Sequence, residues 1–391
     1  MLTNIAMILL LGLGAGWLFS KMKLPSLLGM ILVGIVIGPH SLNLMDETLL
    51  SISGEIRQIA LVIILTRAGL SLNLDDLKRV GRPAIFMCFV PACIEMLGTV
   101  IFAPMLLGVS RLDACIIGSV IAAVSPAVIV PRMIKLIDEG YGTKNSIPQL
   151  ILAGASVDDV FVIVVFTSLT TLASTGTISA MSFVQIPVAV CLGILLGSIT
   201  GILMVKFFQR CHMRDSLKVL ILLSVSFMML EIEEQLEGIV AVSGLIAIMS
   251  MGIFVKRKDD TLAKRLQTKY NKLWLGAEVF LFVLVGAAVD LTYALASGVA
   301  AILLVAAALV FRMVGVFVSL LGTKLTNKER LFCMMAYTPK ATVQAAIGTI
   351  PLTLGLECGS IALTVAVISI LMTAPFGASC IDNFYRKLLE K

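Results

Sequence analysis

Apolar residues in this chain come in long, nearly unbroken runs separated by short polar loops. About thirteen runs are readable, near 2–20, 24–38, 56–72, 83–107, 112–134, 147–173, 182–206, 216–230, 238–255, 272–289, 292–321, 329–352 and 359–378. Most approach the ~20 residues, rising ~1.5 Å each, that a helix needs to cross a ~30 Å hydrocarbon layer. A segment inside lipid must satisfy its own backbone N–H and C=O groups, so each run predicts a helix. The pattern therefore predicts an all-α polytopic membrane protein with about 13 transmembrane helices.

The loops alternate in charge. One set carries Lys21 and Lys23; Lys78, Arg79 and Arg82; Arg132, Lys135 and Lys144; Lys206, Arg210, Arg214 and Lys218; Lys256 to Lys272; Lys324, Lys328 and Arg330; and Arg386 to Lys391. The other set shows Asp46 and Glu47, the basic-free 174–181, Glu231 to Glu237, Asp290 and Glu357, with Arg111 the lone exception. The positive-inside rule makes the first set cytoplasmic, so the N-terminus is expected outside and the C-terminus inside a cell membrane. Residues 1–20 resemble a signal peptide in length, but their basic flank follows the apolar run instead of preceding it, so they read as a retained span.

Composition sharpens this picture. Hydrophobic residues make up 59% and charged residues 14%, against about 25% charged in soluble domains. Residues 1–391 then form a single membrane domain, because the longest polar interval, near Lys256 to Lys272, is too short to fold alone. The net charge of +6 could suggest nucleic acid, but the basic residues lie in loops between spans, where topology accounts for them. The eight cysteines are scattered with no Cys-x-x-Cys pair and read as small apolar fillers. No cofactor is expected.

Against this background the buried charges stand out. Asp158 and Asp159 lie about 11 residues into the run from Ile147, roughly 17 Å deep and near mid-membrane. Each charge there costs about 2.5–3.5 kcal/mol on insertion scales, so two adjacent ones imply compensation or a purpose, most often ion or proton movement. Glu95 and Lys340 lie about 12 and 11 residues into the fourth and twelfth runs, and Arg312 lies inside the eleventh, somewhat nearer the side expected to be cytoplasmic. The five sum to three negatives and two positives. One monovalent cation or one proton neutralises the remainder, and competition between them for one carboxylate is the physical core of an antiporter. Arginine does not release its proton at reachable pH, so Arg312 suits a permanent structural pair with Glu95. Lys340 is expected to offset helix-dipole ends exposed where the twelfth run breaks.

A weak internal repeat locates those breaks. Ala123-Val124-Ser125-Pro126-Ala127-Val128 in the fifth run aligns with Ala336-Tyr337-Thr338-Pro339-Lys340-Ala341 in the twelfth. Seven runs separate them, an odd number, so the two segments run oppositely through the membrane as in an inverted repeat. Pro126 and Pro339 each remove a backbone hydrogen bond and predict a broken helix near the midplane, where broken backbone is tolerated only beside a cavity. Neighbouring aspartates on one helix point about 100° apart and titrate as a coupled pair, so their roles differ. The partner ion is expected to be small and hard, held by carboxylate and carbonyl oxygens, with Ser156, Ser125 and Thr338 as supporting ligands.

The stretches Thr66-Arg67-Ala68-Gly69-Leu70, Ala123 to Val128, Gly140-Tyr141-Gly142, Ala155-Ser156-Val157-Asp158-Asp159 and Pro339-Lys340-Ala341-Thr342-Val343-Gln344-Ala345-Ala346 resemble the monovalent cation:proton antiporter superfamily. More narrowly they resemble its sodium/hydrogen antiporter subfamily with paired aspartates, over about Lys23 to Ser379. That resemblance implies a homodimer of 13-span protomers with two broken crossing helices. It also implies an ion-transporting core (83–173 and 292–378), scaffold or dimerisation helices (1–72 and 216–289) and a linker helix (182–206). Transport would be exchange of Na⁺ or Li⁺ for H⁺ by an elevator-like shift of the core. Asp159 would be the principal carrier and Asp158 its support, the pair acting as the metal site for transported Na⁺. Many paired-aspartate relatives place a lysine where this chain has Arg312.

A potassium-efflux K⁺/H⁺ antiporter of the same superfamily is the nearest alternative, though such systems usually add a long cytosolic nucleotide-binding domain. An enzyme is not expected. An intramembrane aspartyl protease needs its aspartates on separate helices. A rhomboid-type serine protease needs a membrane histidine, and His40 and His212 sit at run ends.

Overall fold

The structure is a computed structural model, and it describes residues 1–22, 24–71, 81–175, 180–236, 240 and 242–391. The side chains of 127, 156, 160, 175, 180–187 and 291–297 also lie outside that description. Lys23, Lys78, Arg79, Glu237 and most of the 174–181 loop, all used in the topology reading, fall outside it.

The described residues form helices and no strand. In chain order these are α1 (Leu2–Lys21), α2 (Ser26–Ile37), α3 (Glu47–Ser51), α4 (Ser53–Ser71), α5 (Arg82–Met87), α6 (Val90–Leu107), α7 (Arg111–Ile121), α8 (Pro126–Glu139) and α9 (Ile147–Thr175). There follow α10 (Ala180–Arg210), α11 (Asp215–Gln235), α12 (Gly244–Lys258), α13 (Asp260–Ala287), α14 (Leu291–Ser319), α15 (Asn327–Ala336), α16 (Thr342–Ile347), α17 (Ile350–Thr353) and α18 (Gly359–Leu388). Every apolar run of the sequence contains helix. Among the described residues, seven helical segments are long and apolar enough to cross a membrane on their own. Some of the remaining runs are divided, and the divisions have identifiable causes. The fifth run breaks into α7 and α8 just before Pro126, and the twelfth into α15 and α16 across Thr338 to Lys340, on either side of Pro339. Proline lacks the N–H that would continue each ladder.

By contacts the chain comprises two compact units. One consists of Glu55–Asn73 and Ile163–Glu278. Within it α10 packs along α12 so closely that a Cβ on Gly197 would lie 2.2 Å from the carbonyl oxygen of Ala247. Arg67 stacks its guanidinium 5.7 Å from the centre of the Trp274 ring, and Lys256 donates to the carbonyl of Ser71 at 2.7 Å.

The other unit, Met1–Gly54, Leu74–Val162 and Val279–Lys391, carries the buried charges. Its centre is an apolar cluster that includes Met87, Val124, Ile151, Ala155, Phe332 and Tyr337. Here α6 and α14 meet at two glycines. A Cβ on Gly98 would sit 2.6 Å from the Phe311 ring, and one on Gly315 would sit 2.6 Å from the backbone of Pro91. Those close approaches bracket Glu95 and Arg312, which is how side chains on two separate helices come within bonding reach. Gly315→Ala is expected to force the helices apart, destabilising by about 1–3 kcal/mol as overpacking does. An unchanged melting temperature in detergent would refute the tight contact.

Candidate functional site

The two broken helices meet at their breaks. The Ser125 N–H donates to the carbonyl of Pro339 at 2.7 Å, joining the interrupted segment between α7 and α8 to that between α15 and α16. Unwound backbone in lipid is costly unless its polar groups are answered, and here they are. The last carbonyls of α7 and its extension each receive a side-chain donor. Lys340 Nζ reaches the Ile121 oxygen, Arg312 Nη1 the Ala122 oxygen, and Gln344 Nε2 the Ala123 oxygen at 2.7 Å. On the other break Arg312 Nε donates to the Tyr337 carbonyl at 2.6 Å, Thr373 Oγ1 accepts from Lys340 N at 2.9 Å, and Gln344 Oε1 accepts from Ala341 N at 2.8 Å.

The charges form one chain. Arg312 is fully buried and donates Nη1 to Glu95 Oε2 at 2.8 Å and Nη2 to Asp158 Oδ2 at 2.9 Å. Glu95 Oε1 lies 2.7 Å from Lys340 Nζ. The Val124 N–H donates to Asp158 Oδ2 at 2.8 Å, so this carboxylate is clamped between a guanidinium and the broken fifth run. The guanidinium fork suits this task because its donors lie in one plane in fixed directions and serve several acceptors together. Its carbon also lies 5.0 Å from the centre of the Tyr337 ring, whose hydroxyl donates to the Met87 carbonyl at 3.0 Å.

Asp159 differs from its neighbour. Among the described residues it has no ion-pair partner, and its Oδ1 is buried without a hydrogen bond. Asp158 Oδ1 and Ser125 Oγ share that condition. Each of these buried oxygens lacks a hydrogen-bond donor, a condition that a small cation relieves and an apolar core does not.

The structure thus brings together Asp158, Glu95, Arg312, Lys340 and the breaks at Pro126 and Pro339. Arg312 lies against both Glu95 and Asp158. Lys340 contacts the end of α7 in the opposite repeat and Glu95, a placement that residue depth alone does not give. Thr338 Oγ1 donates to the Met335 carbonyl of its own helix at 2.8 Å. The Ser156 side chain lies outside the described residues. The sequence offers Gln344 only as a motif residue without a role of its own, and it does not single out Thr373. The only signal was a polar residue inside a run already broken by Pro339 and another in the final apolar run. All eight cysteines are free.

Glu95→Ala should remove the carboxylate that pairs with Lys340 among the described residues, while Arg312 keeps Asp158. Stranding a buried charge costs about 3–5 kcal/mol, so melting temperature is expected to fall more than ion affinity. Unaltered melting would sink that role for Glu95.

An inverted pair of broken helices, stitched across a buried charge chain around an unpaired carboxylate, defines a membrane ion-transporter architecture. The chain matches the family model described as sodium/hydrogen exchanger, transmembrane, over residues 5–381, and it belongs to that family, within the monovalent cation:proton antiporter superfamily. It is 30% identical over 384 residues to human sodium/hydrogen exchanger 9B2, covering 94% of this chain and 70% of the relative. The corresponding protein of Xenopus tropicalis is 31% identical over 398 residues, covering 96% and 72%. The fold matches the sodium proton antiporter MjNhaP1 from Methanocaldococcus jannaschii at pH 8 with a TM-score of 0.86 and 22% identity, covering 100% of this chain and 99% of that one. This is a multi-pass membrane protein of a transporter family.

Proposed function

We propose that the protein exchanges Na⁺ for H⁺ across the membrane, with Asp159 carrying both in turn. The observation that carries this reading is the division of labour between adjacent aspartates: Asp158 is held by Arg312 and the Val124 N–H, while Asp159 has no cation partner among the described residues. A lone buried carboxylate is neutral with a proton or with a monovalent cation, but not with both. Asp158 Oδ1 and Ser125 Oγ supply further oxygens for a small hard ion. Li⁺ fits the same donor set. The loop charges favour an external N-terminus and a cytoplasmic C-terminus.

The resemblance adds an elevator-like movement of a core, 83–173 and 292–378, against scaffold helices 1–72 and 216–289 in a homodimer, with 182–206 as linker. Arg312 keeps its proton, and Lys340 is held by Glu95 and the Ile121 carbonyl. One cation for one proton then moves no net charge. Exchange rates in liposomes are therefore expected to be independent of imposed voltage; acceleration by membrane potential would overturn single-carboxylate stoichiometry. Single-proton competition also requires apparent Na⁺ affinity to weaken roughly tenfold per pH unit on the acidic limb.

The test is purified protein in liposomes containing a pH dye, challenged separately with Na⁺, Li⁺ and K⁺. Cation-driven proton efflux with Na⁺ supports the proposal. Response to K⁺ alone would favour potassium efflux, and proton movement without any cation dependence would mean a channel.

A further inference from the structure

We propose a second binding site, at the junction of α10, α11 and α13, for the phosphate of an anionic lipid headgroup. A pocket of about 450 Å³ opens here, lined by Phe208, His212, Arg214, Asp215, Lys218 and Arg265 among others. Three of these side chains are cationic and one is a carboxylate, so the pocket carries a surplus of two positive charges with His212 neutral. Asp215 is the only acid in the lining, and its contacts are long: 3.8 Å to Lys218 Nζ and 3.4 Å to Arg265 Nε. A charge-assisted hydrogen bond is nearer 2.7–2.9 Å, so both cations retain donors for another acceptor. Lys218 is the unusual member. Its side chain is 9% exposed, set with its ammonium 5.6 Å from the centre of the Phe208 ring. Lysines are seldom buried to that degree, and here the ion-pair partner, Asp215, stands 3.8 Å away.

Two independent features direct an anion to this place. The pocket lies at the N-terminus of α11, a 21-residue helix whose first N–H groups point out of its ladder, and Arg214 is its N-cap residue. Lys206 and Arg210 on α10 add positive charge nearby. Position then selects a lipid over a soluble anion. The pocket sits where two long apolar helices end, at headgroup level, and below it Leu203 and Phe207 on α10 and Leu217 and Leu220 on α11 are exposed as large apolar side chains. Acyl chains can lie on that surface while the phosphate enters the pocket. The loop belongs to the basic set expected on the cytoplasmic side, where the leaflet is anionic.

The experiment uses the full chain in detergent, titrated with phosphatidylglycerol, phosphatidylcholine or inorganic phosphate while melting is followed. Phosphatidylglycerol is expected to raise the melting temperature saturably, and the other two are not. In the Arg214→Gln, Arg265→Gln double variant the midpoint should rise roughly 30-fold, about fivefold for each basic residue removed. Both residues are exposed, so the variant should fold, and neither belongs to the exchange site, so its Na⁺/H⁺ exchange in phosphatidylcholine liposomes should persist. An unchanged midpoint in the double variant, or equal stabilisation by phosphatidylcholine, overturns the site. Equal stabilisation by inorganic phosphate overturns the lipid as its occupant. These results are separate from the ion-exchange reading, which fails or stands on the liposome assay alone.

Discussion

Asp159→Asn is expected to abolish cation-driven proton flux while leaving a folded protein. The substitution keeps the side chain's size but removes the acid of the buried charge cluster that has no ion-pair partner among the described residues. An amide takes neither a proton nor a metal charge at reachable pH, so both halves of the cycle are lost together. Stability should hold or increase, because a buried carboxylate without a partner is costly and the amide is less so. The companion change Asp158→Asn should behave differently. It breaks the pair with Arg312 and should lower melting temperature as well as transport. Two measurements decide the matter, proton flux in liposomes and melting by size-exclusion chromatography. Na⁺-dependent flux retained in Asp159→Asn would remove that residue from its role. Equal melting losses in both variants would erase the proposed distinction between them.

The second large effect is expected at Arg312. Its guanidinium meets Glu95, Asp158 and the carbonyls of Ala122 and Tyr337, and it holds all of them in a dry site. Arg312→Met would leave two carboxylates and two backbone acceptors short of a donor. Removing one partner of a buried pair costs about 3–5 kcal/mol, and this removal affects two pairs. A severe loss of folded protein is therefore expected. Arg312→Lys should recover part of it, since an ammonium supplies charge but not a planar fork spanning several acceptors. A double-mutant cycle keeps the prediction testable even if the single variant expresses poorly. Adding Asp158→Asn to Arg312→Met removes one stranded carboxylate and should restore part of the melting temperature. Strictly additive losses would show that the Arg312–Asp158 contact contributes nothing.

Much of this protein is readable from its residues. The runs of apolar side chains foretell helices because lipid offers no alternative partner for backbone groups. Pro126 and Pro339 foretell where two helices break because each removes a backbone donor, although Pro104, Pro131 and Pro375 stay inside continuous helices. Depth along each run foretells that Glu95, Lys340 and the aspartates share one level, with Arg312 not far from it. What depth omits is direction. Arg312 binding Asp158 together with Glu95, Lys340 reaching back to the Ile121 carbonyl, and Thr338 turning its hydroxyl to Met335 all depend on which way a helix face points. The role of Gln344 was hidden for the same reason, since a single amide bridges only when the opposite break lies against it.

Sequence by itself determined the medium, the secondary structure and the stock of buried charge, since each follows from the cost of placing a given side chain or backbone group in hydrocarbon. Only the tertiary structure decided which charge remains over. Three acids and two bases leave one acid unmatched under any arrangement, but the contact of α6 with α14 at Gly98 and Gly315, and the meeting of the breaks at Ser125 and Pro339, assign both bases to Glu95 and Asp158. Asp159 is left unmatched because ion pairing acts over a few ångströms, and distances of that kind between helices far apart in the chain exist only once they have packed.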